Sequence, residues 1–265
     1  MGSEWEAQTY QRVSAPQLAW GGRVIGRIDF AGDEDVIDAG CGTGRVTRLV
    51  AEQVPRGTVL AVDGSQQMVD EATAQLADLA PRVRVVRSDL TALEVDEPVD
   101  LIVSTATFHW ILDHDLLFAR LFAALRPGGR LIAQCGGDGN IAGTLAAASA
   151  VALEEPYIAG LAGMPQSWYF ASPEATEASL ARAGFVEAHA GLEAATTPFT
   201  SPDEAAEFLA TVVLRHHLDR LEPGLRVPFA RAVAERRAAD DPEGRVVLDY
   251  IRLNLEGLRP AGEAA

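Results

Sequence analysis

The chain has 265 residues, enough for one large α/β domain or for a domain with a cap. Its 38 acidic residues outnumber 22 basic ones, giving a net charge of −16, and no basic stripe appears. These properties argue against nucleic acid as a partner, because a phosphate backbone is gripped by clustered Lys and Arg.

Two cysteines, Cys41 and Cys135, suggest no disulfide framework, and no Cys/His cluster has the spacing of metal ligands. The start lacks the basic-then-apolar order of a signal peptide. The most apolar run, Ile141 to Leu153, is far shorter than the roughly 20 residues that span a bilayer. The expectation is a cytoplasmic protein, monomer or homodimer, with no metal and no membrane partner.

In chain order, residues 1 to about 30 read as helical, with Gln17-Leu18-Ala19-Trp20 and Val24 to Ile28 spaced near 3.6. From Asp35 to about Cys135, apolar strands alternate with helical stretches, the βαβ signature of a parallel sheet. Strands are predicted near 34–39, 58–63, 83–87, 99–104 and 130–135, and helices near 44–54, 65–79 and 115–125. Asp113 or Asp115 would cap the last of these by accepting from an open helix N–H. After Cys135 come a glycine-rich turn, an Ala-rich helix to about Glu155, and a helix from Pro173 to Ala183 closed by Gly184. A sixth strand follows from Phe185 to Gly191. Ser201-Pro202-Asp203-Glu204 then starts a helix that runs to about Leu221, with Ser at the cap and Pro in the first turn. Another helix covers about Leu225 to Ala239, and Leu253 to Leu258 alternates as a half-buried final strand does.

The most informative stretch is Val36-Ile37-Asp38-Ala39-Gly40-Cys41-Gly42-Thr43-Gly44, a buried strand entering a glycine turn and then a helix. Alternate glycines remove β-carbons that would hold a ligand off the backbone, and the helix N–H groups point at whatever binds. A nucleotide-like cofactor is implied. The third glycine of the dinucleotide fingerprint is replaced by Arg45, and Asp38 would repel a pyrophosphate but attract an amine or a sulfonium. The pattern favours a small cationic cofactor. Asp63 ends the second strand about 20 residues on, where an acid accepts from ribose hydroxyls; it also suits capping of the helix near Ser65. Met68, one turn into that helix, is placed to lie over a flat base. Asp89, in Ser88-Asp89-Leu90 at the third strand end, is placed either to accept from an exocyclic amine or simply to close a turn.

Asp38, Gly40, Gly42, Asp63 and Asp89 in this order resemble class I S-adenosylmethionine-dependent methyltransferases. Val99 to Ser104 looks like that family's fourth strand, and Leu125-Arg126-Pro127-Gly128-Gly129-Arg130-Leu131 is similar to its turn into the fifth. Within the family the likeness is to trans-aconitate methyltransferases and related small-molecule enzymes. It rests on Trp5…Tyr10, on Phe108-His109-Trp110-Ile111-Leu112-Asp113-His114, and on Ser201 to Glu204. The resemblance implies a seven-stranded, mostly parallel Rossmann-like α/β sheet with an antiparallel last strand, helices on both faces and a helical cap over the cofactor cleft. Residues 1–30 would form a lid, 31–136 the cofactor-binding half, and 137–265 the cap insertions with the last two strands. The implied cofactor is S-adenosylmethionine, with Tyr10, Gln17, Asp38, Gly40, Cys41, Gly42, Asp63, Gly64, Met68, Ser88, Asp89, Leu90 and Thr105 around it.

The acceptor implied is a small molecule, in the subgroup a carboxylate that leaves as a methyl ester, with O-, N- or C-methylation of another metabolite also open. His109, after the fourth strand, is the expected catalytic residue. Its readings are a general base, a donor to a substrate carboxylate, or a packed core histidine. Trp110, His114, Trp168, Arg12 and Arg215 complete the predicted acceptor site. His114 suits a helix cap equally well, and Trp168-Tyr169-Phe170 is either a substrate wall or an interior anchor. Two rival classes remain: an NAD-linked oxidoreductase, which Arg45 disfavours, and a protein that binds the cofactor without catalysis.

Overall fold

The structure, a computed structural model, describes residues 15–262, with side chains from Trp20 onward. Tyr10 and Arg12 lie outside the described residues. Gln17 is placed by its backbone alone, in helix α1 (Ala15–Ile25).

Strands β1 (Asp35–Ala39), β2 (Thr58–Asp63), β3 (Val83–Arg87) and β4 (Val99–Thr105) are parallel where they pair. Helices α2 (Arg45–Gln53) and α3 (Gln66–Gln75) supply the crossovers, and α4 (His114–Ala124) leads from β4 to β5 (Leu125–Gly136). The β1 side chains alternate between two apolar layers. Val36 joins Val24, Ile25, Val50, Ala51, Ala72, Leu101 and Val103 on one face. Ile37 and Ala39 join Ile102, Leu117, Phe118, Leu121, Leu131 and Leu180 on the other. A central strand covered on both faces has no polar side to spare, which is why β1 and β4 read as nearly continuous apolar runs. Leu121 is fully buried, and its truncation to Ala would cost about 2–5 kcal/mol.

The sheet has seven strands in the order β3-β2-β1-β4-β5-β9-β6, with β6 at Val186–Ala194. Strand β9 (Ile251–Leu258) runs antiparallel to β5, pairing Gly136 with Arg252 at one end and Arg130 with Leu258 at the other. From β1 the chain proceeds outward to β2, whereas β4 lies on the opposite side of β1 and leads to β5. Such a reversal of direction opens a crevice at the carboxyl ends of the strands.

The chain divides into two compact units. One comprises Pro16–Asp138, Trp168–Glu193 and the segment from Arg252; the other contains Gly139–Ser167 and Ala194–Ile251. The second unit holds α5 (Ala142–Ala152), the short α6 (Ile158–Leu161), α8 (Pro202–Phe208), α9 (Arg215–Leu218) and α10 (Pro223–Ala239). Helix α7 (Pro173–Ala183) belongs to the sheet unit and ends on Gly184 at φ 105. The helix predicted from 202 to 221 is interrupted by a π turn at Leu209–Val213, where the Leu214 N–H reaches back to the Leu209 carbonyl at 2.7 Å. A small two-stranded antiparallel sheet of β7 (Thr197–Phe199) and β8 (Val246–Leu248) was not foreseen. Three residues with Pro198 at their centre give too little alternation to read. Among the described residues no helix is long and apolar enough to cross a membrane.

Candidate functional site

At the carboxyl end of β1, Asp38 is fully buried. Its Oδ2 accepts from the Thr47 hydroxyl of α2 at 2.6 Å, while Oδ1 is buried without a hydrogen-bond partner. Burial first, with the neighbouring charge of Asp63 adding, raises its carboxyl from 3.8 to about 6. The turn that follows is fastened to β2, since the N–H groups of Gly40 and Cys41 both donate to the Val62 carbonyl, at 2.8 and 2.9 Å. Cys41 is buried, and desolvation pushes its thiol pKa upward.

Asp63 joins three turns. Its Oδ2 accepts from the Gly42 N–H and its Oδ1 from the Ser65 N–H, each at 2.9 Å. Its own carbonyl receives the Ser88 N–H at 3.1 Å, bringing the third strand end alongside. The helix cap is Ser65, whose hydroxyl accepts from the Met68 N–H, so Asp63 supports the turns and not the α3 terminus. Gly64 is exposed and Met68 half-buried on this rim. Asp89 Oδ1 takes both the N–H and the hydroxyl of Thr91 at 2.8 Å, the Ser88 hydroxyl lies 3.2 Å from the Asp89 carbonyl, and Leu90 is buried.

The first two turn glycines serve different ends. A β-carbon at Gly40 (φ 87) would sit 2.1 Å from Thr107 Oγ1, so this position lets the loop after β4 press onto the turn. Thr107 Oγ1 lies 3.1 Å from the Gly40 carbonyl and 3.0 Å from that of Thr105. A β-carbon at Gly42 (φ 54) would meet nothing within 4 Å. There bare main chain borders open space.

Beyond Thr105, Ala106 adopts a left-handed φ of 56 and donates its N–H to the Gln134 carbonyl at 2.7 Å. The short turn Phe108–Trp110 follows. His109 is buried, and its Nδ1 accepts the Gly136 N–H at 3.2 Å. An acceptor nitrogen carries no proton, so the neutral ring keeps its proton on Nε2. Burial chiefly, and then the positive charges of Arg252 and His114, hold His109 down to about 3. The ring stacks on Phe170 at 5.8 Å and leans on Trp110 at 5.2 Å, and Trp110 in turn meets Trp168 at 5.7 Å.

His114 opens α4 but is not its cap; Asp113 is, accepting from the Leu116 N–H at 2.9 Å. His114 is buried, with Nε2 3.1 Å from the Phe108 carbonyl and its ring 4.7 Å from that of Tyr169. Asp115 instead pairs with Arg182 at 2.7 Å. Arg215 is exposed on α9 in the other unit.

One residue that the sequence did not single out stands here. Arg252, at the start of β9, is 3 % exposed, with its guanidinium 4.6 Å above the Trp20 ring. The available signal was its place one residue before the alternating run from Leu253.

Residues 36–129 match the family described as a methyltransferase domain. Over 269 residues the chain is 28% identical to a protein of Methylobacterium radiotolerans named trans-aconitate 2-methyltransferase, covering 95% of this chain and 96% of that one. A protein of the same name from Variovorax paradoxus is 34% identical over 132 residues, 49% of each chain. Among solved structures, phosphoethanolamine N-methyltransferase 2 of Haemonchus contortus, in complex with S-adenosylmethionine, has a TM-score of 0.60 at 19% identity. That likeness covers 95% of this chain and 56% of the other. Together with the strand order and the glycine turn, these findings place a methyltransferase domain over residues 36–129 and make the chain similar to class I S-adenosylmethionine-dependent methyltransferases.

The residues present fit this cofactor. Open space beside Gly42, an orphaned buried oxygen on Asp38, and the absence of ion pairs to Asp38, Asp63 and Asp89 among the described residues suit a ligand carrying cations and hydroxyls.

Proposed function

We propose that the enzyme methylates the carboxylate of a small molecule and releases a methyl ester. The observation that carries this reading is the state of His109, a neutral ring whose Nδ1 is committed to the Gly136 amide. A carboxylate is already an anion at neutral pH and needs no base, whereas a protonated amine or a phenol has a proton to lose. His109 is poised to donate from Nε2–H and is poorly placed to accept. The name of the near-full-length Methylobacterium relative supports an acid acceptor.

When bound, S-adenosylmethionine supplies a methyl carbon on a positive sulfur, which keeps the C–S bonding electrons as the new C–O bond forms. Asp38, Gly40, Cys41 and Gly42 would hold its amino-acid end, and Asp63 and Gly64 the ribose. Met68, Ser88, Asp89 and Leu90 would frame the base, with Thr105 near the sulfur and Tyr10 and Gln17 contributed by a lid of residues 1–30. His109, Trp110, His114 and Trp168, with Arg12 and Arg215, would receive the acceptor. Alignment in a dry site can supply up to roughly 7–11 kcal/mol, so no triad is needed. The net charge of −16 supports a small molecule over nucleic acid, and the same reading places a monomer or homodimer in the cytoplasm.

The test is to incubate the purified protein with S-adenosylmethionine and a panel of small organic acids, amines and phenols. Alkali-labile methyl esters are expected. Methylated amines or phenols with no ester from any acid would overturn the proposal.

A further inference from the structure

A threonine inside a helix commonly turns its hydroxyl onto the carbonyl four residues back. Thr73, Thr176 and Thr211 do so, reaching Val69, Ser172 and Glu207 at 2.7, 2.9 and 2.9 Å. Thr47, in the first turn of α2, behaves differently. Its hydroxyl leaves the helix and donates to Asp38 Oδ2 on β1 at 2.6 Å. Gly44 caps α2 without a side-chain hydrogen bond, so the hydroxyl is not recruited to the helix terminus either. Both Thr47 and Asp38 are completely buried, and the length is that of a hydroxyl bonded to an ionised carboxylate.

This bond has two consequences. The outer torsion of an aspartate is broad, so an unheld carboxylate presents either oxygen; a donor on Oδ2 fixes its plane. Oδ1, buried and unpartnered, is then the oxygen with lone pairs to give. The hydroxyl also favours the charged form. Burial and the negative charge of Asp63, at the end of β2, oppose ionisation, and Thr47 counters them. The remaining surroundings add no charge. The register partners Ala61 on β2 and Val103 on β4 are apolar, and burial pushes the Cys41 thiol of the turn up, so that it stays protonated. His109, on the loop after β4, is held down to about 3 by burial and stays neutral.

Resting on the placement of Asp38 at the cofactor's amino-acid end proposed above, we infer that Thr47 is a positioning residue for cofactor binding. Its hydroxyl orients the Asp38 carboxylate and keeps Oδ1 for the ammonium of S-adenosylmethionine. Thr47 acts through Asp38, so its removal should alter the pH at which the cofactor is gripped.

The experiment measures binding of S-adenosylhomocysteine to the full chain by calorimetry, from about pH 5 to about pH 8. This ligand carries the ammonium and lacks the sulfonium. Each variant is compared with wild type at the same pH, so the ligand's own titration cancels. Thr47→Val keeps the shape and removes the hydroxyl. Its affinity should fall roughly tenfold near pH 5, where a rise of about one pH unit in the Asp38 midpoint is fully felt. From about pH 7 upward it should lie within about twofold of wild type. Thr47→Ser keeps the donor and should restore the wild-type profile. 5′-Methylthioadenosine, which has no amino-acid end, should bind wild type and both variants alike at every pH. A loss of equal size at every pH marks a merely structural residue and overturns the inference, as does a Thr47→Val profile that matches wild type. Should Thr47→Val not fold, Thr47→Ala is read by the same criteria. Asp38→Asn separates the two layers, and should bind S-adenosylhomocysteine weakly with little pH dependence. Wild-type affinity in Asp38→Asn, or a pH profile shared by 5′-methylthioadenosine, defeats the placement of Asp38 itself. A weakened Asp38→Asn beside an indifferent Thr47→Val defeats this inference alone.

Discussion

Strand β1 carries an aspartate near each end, and the two edges of the sheet treat them oppositely. At the amino edge, Asp35 takes the Thr58 hydroxyl at 2.6 Å and the Arg126 guanidinium at 2.8 Å, and Arg126 also grips both oxygens of Asp100 at 2.7 and 2.6 Å. The Thr58 hydroxyl first, and then Arg126, hold the Asp35 carboxyl below its ordinary range. At the carboxyl edge, Asp38 is buried with one oxygen orphaned, and among the described residues Asp63 accepts from the Gly42 and Ser65 N–H groups. The amino-edge acids share a cation of the protein, Arg126, whereas the carboxyl-edge acids have no ion pair among the described residues and suit the proposed cofactor. A sheet can therefore store stability at one end and binding capacity at the other, using the same residue type.

The sharpest break in this comparison is expected at the glycines. Gly40→Ala forces a β-carbon into Thr107 at a positive φ and should cost about 3 kcal/mol or more of stability in urea unfolding. Gly42→Ala has open space and should cost only about 1–2 kcal/mol, yet weaken S-adenosylmethionine binding in calorimetry. Comparable stability losses from the two would contradict the division of labour. Asp63→Ala removes the acceptor of two turn N–H groups along with the proposed ribose partner, and cofactor affinity should fall by roughly 30- to 100-fold, with Asn recovering part.

A smaller effect separates the edges by pH. Asp38 titrates near 6 in the folded protein, so between about pH 4 and 6 the native state keeps a proton that the unfolded chain has released. Its contribution to stability therefore declines as pH rises through that window, and Asp38→Asn should flatten the dependence in melts of the cofactor-free protein. Asp35, shifted downward, does the reverse: its contribution is complete above the ordinary carboxylate range and fades on acidification below it. Cofactor affinity should rise with pH through about 6 as Asp38 ionises. The smallest effect is expected for Arg126→Met, about 1 kcal/mol by thermal melting because the cluster is partly solvated, with cofactor affinity unaltered.

How much the sequence told depended on how local the signal was. The strands leading to Asp38, Asp63 and Asp89 were legible from their apolar runs, and the Ser65, Asp113 and Ser201 caps and the Gly184 terminus because each rests on contacts within a few residues. The separate roles of Gly40 and Gly42 were not, since the first is decided by Thr107, 67 positions away. The predicted helix through 209–213 missed its π turn, where Thr211 bonds the Glu207 carbonyl and Leu214 skips back five residues. Arg252 was passed over for a general reason: an arginine beside an alternating strand reads as solvated, and only the pairing with Gly136 shows it buried. For His109, the proton's location depends on a distant amide, which no spacing rule contains.

The unneutralised acids at the crevice bear on how a turnover ends. On the proposed acceptor, passing a methyl group from a sulfonium to a carboxylate cancels a plus and a minus together, leaving a thioether and an ester. The acids of the crevice then lose the sulfonium's share of their attraction, while the ammonium of the amino-acid end, on the proposed placement beside Asp38, keeps its own. A spent cofactor held in this way is bound less tightly than a fresh one.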